Sequence, residues 1–374
     1  MSRTVVVVGL GNIGSQLVPL LARMPDVGRI VLIDQDKYDD TNIATQAITP
    51  GAVGRSKTQV QGLRLRKINP SIEVTNFFAP VESLPLGRLR ADAILACVDN
   101  RVARQYLNQT ARHLGVTLID AGVQADSSLA RVSVFRSAPD CACLECNWDQ
   151  ADYEAIEQNF ACQPGGRAPS PTNAPAQLGA LAAAVQAIEV QRLFAGETDM
   201  TLGSHEIVLD AASHRQFVTT LKRRDTCRLA DHDAWVLHKV RGAPEDITLA
   251  QVLAFRGPAD SEHAVSLRAA TSPFVTGLTC LGCGTTVPTL RLRSRLAERE
   301  RTCKLCHSRQ EAIGPDIVDW LNGYDLASDT GARSLRNVGF EVGDIFVLRR
   351  GPFSRYYELA DPPARPRPAA GGAA

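Results

Sequence analysis

The stretch VVVVGLGNIG, residues 5–14, decides how this chain begins to fold. Four consecutive valines make a strand buried on both faces, and Gly9, Gly11 and Gly14 then mark a tight turn into a helix from about Ile13 to Leu21. A second strand, RIVLID, closes at Asp34, 20 residues after Gly14. This strand, glycine turn, helix and strand-end carboxylate form a nucleotide-binding pattern. The glycines let backbone approach a phosphate, the helix N-terminus faces it, and the carboxylate takes a ribose hydroxyl. On this motif alone the default reading is an NAD-dependent dehydrogenase.

Outward from it, strand and helix signals alternate: a helix near 56–68, a strand near 72–78, the strand ADAILACV to Val98, a helix over about 100–114 and the strand VTLID. The alternation predicts an α/β fold, a Rossmann-like mostly parallel sheet with helices on both faces. ARVSVF, HEIVLD and RQFVTT are read as antiparallel additions. LGALAAAVQAIEVQRLF, Leu178 to Phe194, is a long helix of high intrinsic propensity with Gly196 as its C-cap. Past His232 the pieces shorten around a cysteine cluster, which places a boundary near 235. The expected organisation is a first domain over 1–234, a smaller C-terminal domain over 235–360, and a Pro/Ala/Gly-rich tail over 361–374 that is disordered because it has nothing to bury.

A chain of 374 residues with 44% hydrophobic content exceeds one usual core, in keeping with one large and one small domain. A net charge of +1, with both signs spread along the chain, gives no footprint for nucleic acid or an anionic membrane surface. MSRTVVVVGLG is too short a run for a signal segment and no apolar run approaches a membrane span, so a cytoplasmic protein is expected. In that reducing compartment ten cysteines point to metal ligands or catalysis rather than disulfides.

Further motifs sharpen the nucleotide reading. Asp36 lies two after Asp34; then come Asn42, Lys57 in GRSKTQ, INP at 68–70, and Cys97-Val-Asp99-Asn100 with Arg104 and Asn108. In their order and spacing, from Val5 to about Thr220, these motifs resemble the ThiF/MoeB/HesA family, adenylating enzymes related to ubiquitin-activating enzymes. The resemblance implies that ATP and Mg²⁺ are bound and that a protein C-terminal carboxylate attacks the α-phosphate, leaving an acyl-adenylate. Two anions must meet, so cations and a metal are needed. By resemblance Gly9, Gly11 and Gly14 line the nucleotide with Asp36, Asp34 holds the ribose, Asn42 and Lys57 face the phosphates, and Asp99 supports Mg²⁺. The plain alternatives are a solvated helix residue for Lys57 and a helix N-cap for Asp99. One departure stands out: Thr41-Asn42-Ile43-Ala44-Thr45-Gln46 puts Thr45 where the family has arginine. The N-terminal helix that often supplies a second arginine is also missing, so Arg55, Arg101, Arg104 or another subunit is expected to compensate, or the enzyme is slow.

Cys143 and Cys146 follow RVSVFRSAPDCA, where the family places a CxxC, and KRRDTCRLADHDAW offers Cys227 and His232 to complete a Cys₃His structural zinc site, with Cys141 or Asp231 as substitutes. Cys280, Cys283, Cys303 and Cys306 form C-x₂-C-x₁₉-C-x₂-C, a zinc-ribbon pattern whose four thiolates leave no open position for catalysis. Cys97 reads as a small buried hydrophobe. Cys162 remains, at the head of a Gly/Pro/Ser-rich segment running to about Gln177. Family members with a catalytic or sulfur-accepting cysteine carry it between the CxxC and the long helix, so the resemblance implies thioester formation on Cys162, with a functionless loop thiol as the alternative.

The leading expectation is therefore a ubiquitin-like-protein activating enzyme that passes its carrier through Cys162 to a conjugating enzyme. A homodimer in a bacterial, antiviral conjugation pathway is the setting that fits. The alternatives are an adenylyltransferase for a ThiS/MoaD-like sulfur-carrier protein and a catalytically weak scaffold.

Overall fold

The computed structural model describes residues 2–160, 174–196, 203–229, 232–255, 265–322 and 328–361. The chain divides into two compact units, Met1–Leu84 with Leu89–Trp235, and Pro85–Arg88 with the residues from Val236 on.

The first unit is built on β1 (Arg3–Val8), α1 (Gly14–Leu21), β2 (Val27–Ile33), α2 (Lys57–Ile68), β3 (Glu73–Phe77), β4 (Ala93–Ala96), α3 (Arg101–Leu114), β5 (Thr117–Gln124), β6 (Leu129–Phe135), α4 (Gln150–Phe160), α5 (Ala176–Ala195), β7 (His205–Asp210) and β8 (Arg215–Thr220). Its strands form one sheet in the order β3-β2-β1-β4-β5-β6-β7-β8. Pairing is parallel from β3 to β5 and antiparallel from β5 to β8, as the mixed α/β reading expects. Val5, Val6 and Val7 are fully buried because helices cover both faces of the sheet here. The chain leaves β1 and β4 toward opposite edges, which makes their C-terminal ends the switch point where an open α/β sheet has a crevice.

Two helices of this unit differ from the sequence reading. The residues of α4 are mostly polar, and the sequence reading assigns them no element. α5 is long and apolar enough to cross a bilayer, with a mean hydropathy of 1.2, contrary to the expectation that no run approaches a span. In the fold it is a core helix: Ala182, Ala183 and Val190 are buried with Leu17 and Leu21 of α1. Gly196 closes it in the left-handed conformation at φ 67°.

The second unit is mostly β. A five-stranded sheet is made of β9 (Leu237–Arg241), β10 (Val265–Ala269), β15 (Leu321–Asn322), β16 (Ile345–Arg350) and β17 (Phe353–Ala360), in the order β15-β10-β16-β17-β9. A smaller sheet joins β11 (Phe274–Cys280), β12 (Thr286–Leu292), β13 (Gln310–Glu311) and β14 (Ile317–Val318). Phe274, Phe340 and Phe346 share its core. Beyond Asp361 the expected tail lies outside the described residues.

Candidate functional site

At the switch point the glycine loop opens a cleft of about 560 Å³. Gly9 sits at φ +88°, and a Cβ there would lie 2.6 Å from the Cys97 carbonyl oxygen. A Cβ on Gly14 would lie 2.0 Å from the Gly9 carbonyl oxygen, so helix and loop close together only because both are glycine. Gly9 and Gly11 line the cleft, whereas Gly14, expected to line it too, packs beneath.

Asp34 is 9% exposed, and its two carboxylate oxygens accept the amides of Leu10 at 2.6 Å and Asp36 at 2.8 Å. Burial pushes its carboxyl above the ordinary range, against the pull of Lys57. Asp34 therefore splices the glycine loop to the next strand while remaining on the cleft wall.

Lys57 opens α2 behind the cap Ser56 and is not a solvated helix residue: its side chain is 10% exposed, and Nζ lies 3.2 Å from Asp36 Oδ2. The same Nζ stands 5.8 Å from the Tyr38 ring centroid. Tyr38 donates its hydroxyl to the Leu10 carbonyl at 2.9 Å and accepts from Gln61 Nε2 at 2.9 Å, tying α2 to the glycine loop. Burial holds this phenol well above its usual range.

Asn42 lines the cleft, with its amide oxygen accepting the Asp39 amide at 3.2 Å while Asp39 accepts from Thr41 and Asn42. This reciprocal cap fixes the 3₁₀ turn Asp40–Ala44. Asp99 is exposed on the cleft wall. The cap of α3 is not Asp99 but Asn100, which accepts the Ala103 amide at 2.8 Å, so the Asp99 carboxylate is left for the cleft.

Thr45 lines the cleft as the sequence implies, and the three arginines considered as its replacement are placed as follows. Arg101 pairs with Asp152 of α4. Arg104 reaches the cleft, but its guanidinium donates to Asp120 at 2.7 Å and to the Val98 and Ala121 carbonyls. Arg55 is exposed and does not line the cleft. Lys37 does line it and was missed, because a lysine between Asp36 and Tyr38 matches no motif. Also missed was Asn12, whose Nδ2 donates to the Ala174 carbonyl at 2.6 Å. Its Oδ1 and the Gln46 Oε1, both in cleft-lining residues, are buried with no hydrogen-bond partner among the described residues. Cys97 is half-buried on the cleft floor, donating to Gln186 Oε1 at 3.3 Å, and burial pushes its thiol up.

Two tetrads of soft donors converge: Cys143, Cys146, Cys227 and His232, and Cys280, Cys283, Cys303 and Cys306, with ligand atoms within 4.8 Å of one another in each. In the first, Cys143 Sγ is 3.7 Å from Cys227 Sγ and Cys146 Sγ is 3.7 Å from His232 Nε2. His232 Nδ1 lies 3.3 Å from the Cys141 carbonyl, which leaves Nε2 for a metal. In the second, the cross-knuckle sulfur separations are 3.3 and 3.8 Å. Both donor sets suit tetrahedral zinc. Cys141 stands outside the first tetrad, and Asp231 and Cys162 lie outside the described residues.

The profile of the ThiF family matches residues 1–230. This chain belongs to the ThiF family. Ubiquitin-like modifier-activating enzyme 5 of Branchiostoma floridae is 31% identical over 157 residues, 38% of this chain and 38% of that protein. Its counterpart in Oryza sativa subsp. japonica is 28% identical over 158 residues, 38% and 37% of the two chains. The match thus spans under two-fifths of these relatives. Among solved structures, E. coli MccB with succinimide superposes at a TM-score of 0.50 and 22% identity, covering 61% of this ThiF-family chain and 66% of that one. At that identity the likeness speaks for the fold.

Proposed function

We propose that this ThiF-family protein adenylates the C-terminal carboxylate of a ubiquitin-like carrier protein at the expense of ATP. The observation that carries the reading is the convergence, at the β1/β4 switch point, of the glycine loop, the buried Lys57 paired with an exposed Asp36, and an Asp99 that its helix does not use as a cap. The glycine loop and the α1 N-terminus receive phosphate, and Asp34 and Asp36 take the ribose hydroxyls. Lys57 and Lys37 offset charge as the carboxylate approaches. The carrier's carboxylate oxygen forms a bond to the α-phosphorus while the bond from that phosphorus to the bridging oxygen breaks, and pyrophosphate leaves with the electron pair. Asp99 is the hard oxygen donor that would suit Mg²⁺, which when bound would neutralise phosphate charge. The orphaned amide oxygen of Gln46 is a further place for a ligand's donor.

Cys162 is proposed to accept the acyl group as a thioester, and both tetrads are proposed as structural zinc sites. Carrier-dependent exchange of labelled pyrophosphate into ATP tests the first step. Lys57→Ala should lower exchange by about two to three orders of magnitude. A carrier adduct sensitive to thiols that disappears in Cys162→Ala, with exchange intact, tests the second. The commitments of Arg101 and Arg104 favour one rival, a catalytically weak scaffold of the same fold; ATP binding without carrier-dependent exchange would support it.

A further inference from the structure

The five-stranded sheet of the second unit buries Leu267, Phe346, Leu348 and Leu359 on one face. Strand alternation puts Arg268 of β10 and Arg349 of β16 on the other. In the antiparallel register Arg268 opposes Val347 and Arg349 opposes Ser266, so the two arginines are diagonal neighbours, with Cβ atoms about 7–8 Å apart. Both guanidiniums lie over one indole: Arg349 Cζ is 4.0 Å and Arg268 Cζ 5.4 Å from the Trp320 ring centroid. Trp320 immediately precedes the edge strand β15. Arg349 is exposed, and Arg268 and Trp320 are half-buried.

Other arginines of this unit have acidic partners, Arg291 with Glu300, Arg295 with Glu341 and Asp344, and Arg309 with Glu311. Arg268 and Arg349 have none among the described residues. Two cations held together without a counter-charge repel each other, and the ring that restrains them lowers the entropy cost of gripping an anion. A guanidinium stacked on an indole keeps its N–H edge free for the two oxygens of a carboxylate. The Cβ spacing of the two arginines is close to that of side chains two apart on an extended chain, about 6.6–6.8 Å. Nucleic acid fits less well, because the Trp320 ring is already covered by the arginines and is not free as a base-stacking platform.

We propose that Arg268, Trp320 and Arg349 form a docking clamp for an extended acidic segment of a partner protein, with carboxylates at alternate positions. The clamp does not depend on the adenylation reading and is tested on the full chain by binding alone. The probes are a fluorescent peptide alternating glutamate with threonine, an isomer with its glutamates contiguous, oligothymidylate and inorganic phosphate. The alternating peptide should bind most tightly, weaken with added salt, and lose about tenfold in affinity in each of Arg268→Gln, Arg349→Gln and Trp320→Leu. Thermal unfolding of the variants should be unchanged, which separates loss of binding from loss of fold. The proposal fails if the alternating peptide does not bind at millimolar concentration. It fails equally if the variants bind it as well as the parent, or if the contiguous peptide, oligothymidylate or phosphate binds as tightly at the same residues.

Discussion

Asp344 shows how one carboxyl can set a pH dependence. It is 3% exposed, accepts the Glu341 amide at 2.7 Å and lies 3.7 Å from Arg295, yet burial outweighs both and pushes its carboxyl up to about 6. A folded value above the unfolded one means that the folded chain binds the proton more tightly. The contribution is therefore fully present below the unfolded value of 3.8 and is lost as pH rises through about 6. At pH 8 the ionised group should cost the second unit roughly 3 kcal/mol. Asp344→Asn keeps an acceptor for the Glu341 amide, so it should raise the urea midpoint of that unit at pH 8 and lose the advantage toward pH 4; a pH-independent difference would refute this. In the cleft, Tyr38→Phe strands the Leu10 carbonyl and Gln61 Nε2. It should destabilise the first unit by about 1–3 kcal/mol in denaturant unfolding. If Tyr38 positions Lys57, as the ring contact suggests, the exchange rate should fall by more than the loss of folded protein.

At the scale of elements, α5 reaches the glycine loop only because it carries a glycine there: a Cβ on Gly179 would lie 1.7 Å from Asn12 Oδ1 and 2.9 Å from the Asn12 carbonyl oxygen. Gly179→Ala should push helix and loop apart, costing about 1–3 kcal/mol of stability and weakening ATP binding; calorimetric titration at unchanged affinity would contradict the placement. The two tetrads should hold two zinc ions per chain by mass spectrometry of the intact protein, and Cys280→Ser should cost one ion and Cys146→Ser the other. The strands and helices of the parallel sheet were legible because each carries its own periodicity, and Gly9, Asp34 and Lys57 because their motifs are local. α4 was not: its anchors are Tyr153 to Glu145, and Arg228 to Gln150 and to the Tyr153 ring, contacts that no periodicity in Gln150–Phe160 registers. The Tyr38–Gln61 link and the Asn12–Ala174 bond escaped for the same reason, being side-chain contacts across 23 and 162 residues. Arg104 stood at a suitable place in the sequence, but only the fold reveals that Asp120 already holds it.

At the scale of the whole molecule, a division near residue 235 was legible from the change in composition, but not that the second unit also takes Pro85–Arg88 from within the first unit's sequence. A turn of four residues has no periodicity to betray its allegiance. Its grip is specific: the Gly87 amide donates to the Gly343 carbonyl at 2.8 Å, and a Cβ on Gly87 would lie 2.6 Å from Glu358 Oε1 and 2.8 Å from the Gly343 oxygen. Leu86 beside it is 3% exposed. A fragment covering residues 236–374 lacks this piece, so it should unfold at lower denaturant than the same unit within the full chain. Removing one hydrogen bond and one buried leucine is worth about 2–4.5 kcal/mol together. Gly87→Val in the full chain should reproduce part of that loss, because its side chain has no room between Glu358 and Gly343, while Asp344→Asn should still stabilise this variant at pH 8. Equal unfolding midpoints for the fragment and the full-length second unit would show that Pro85–Arg88 only passes by.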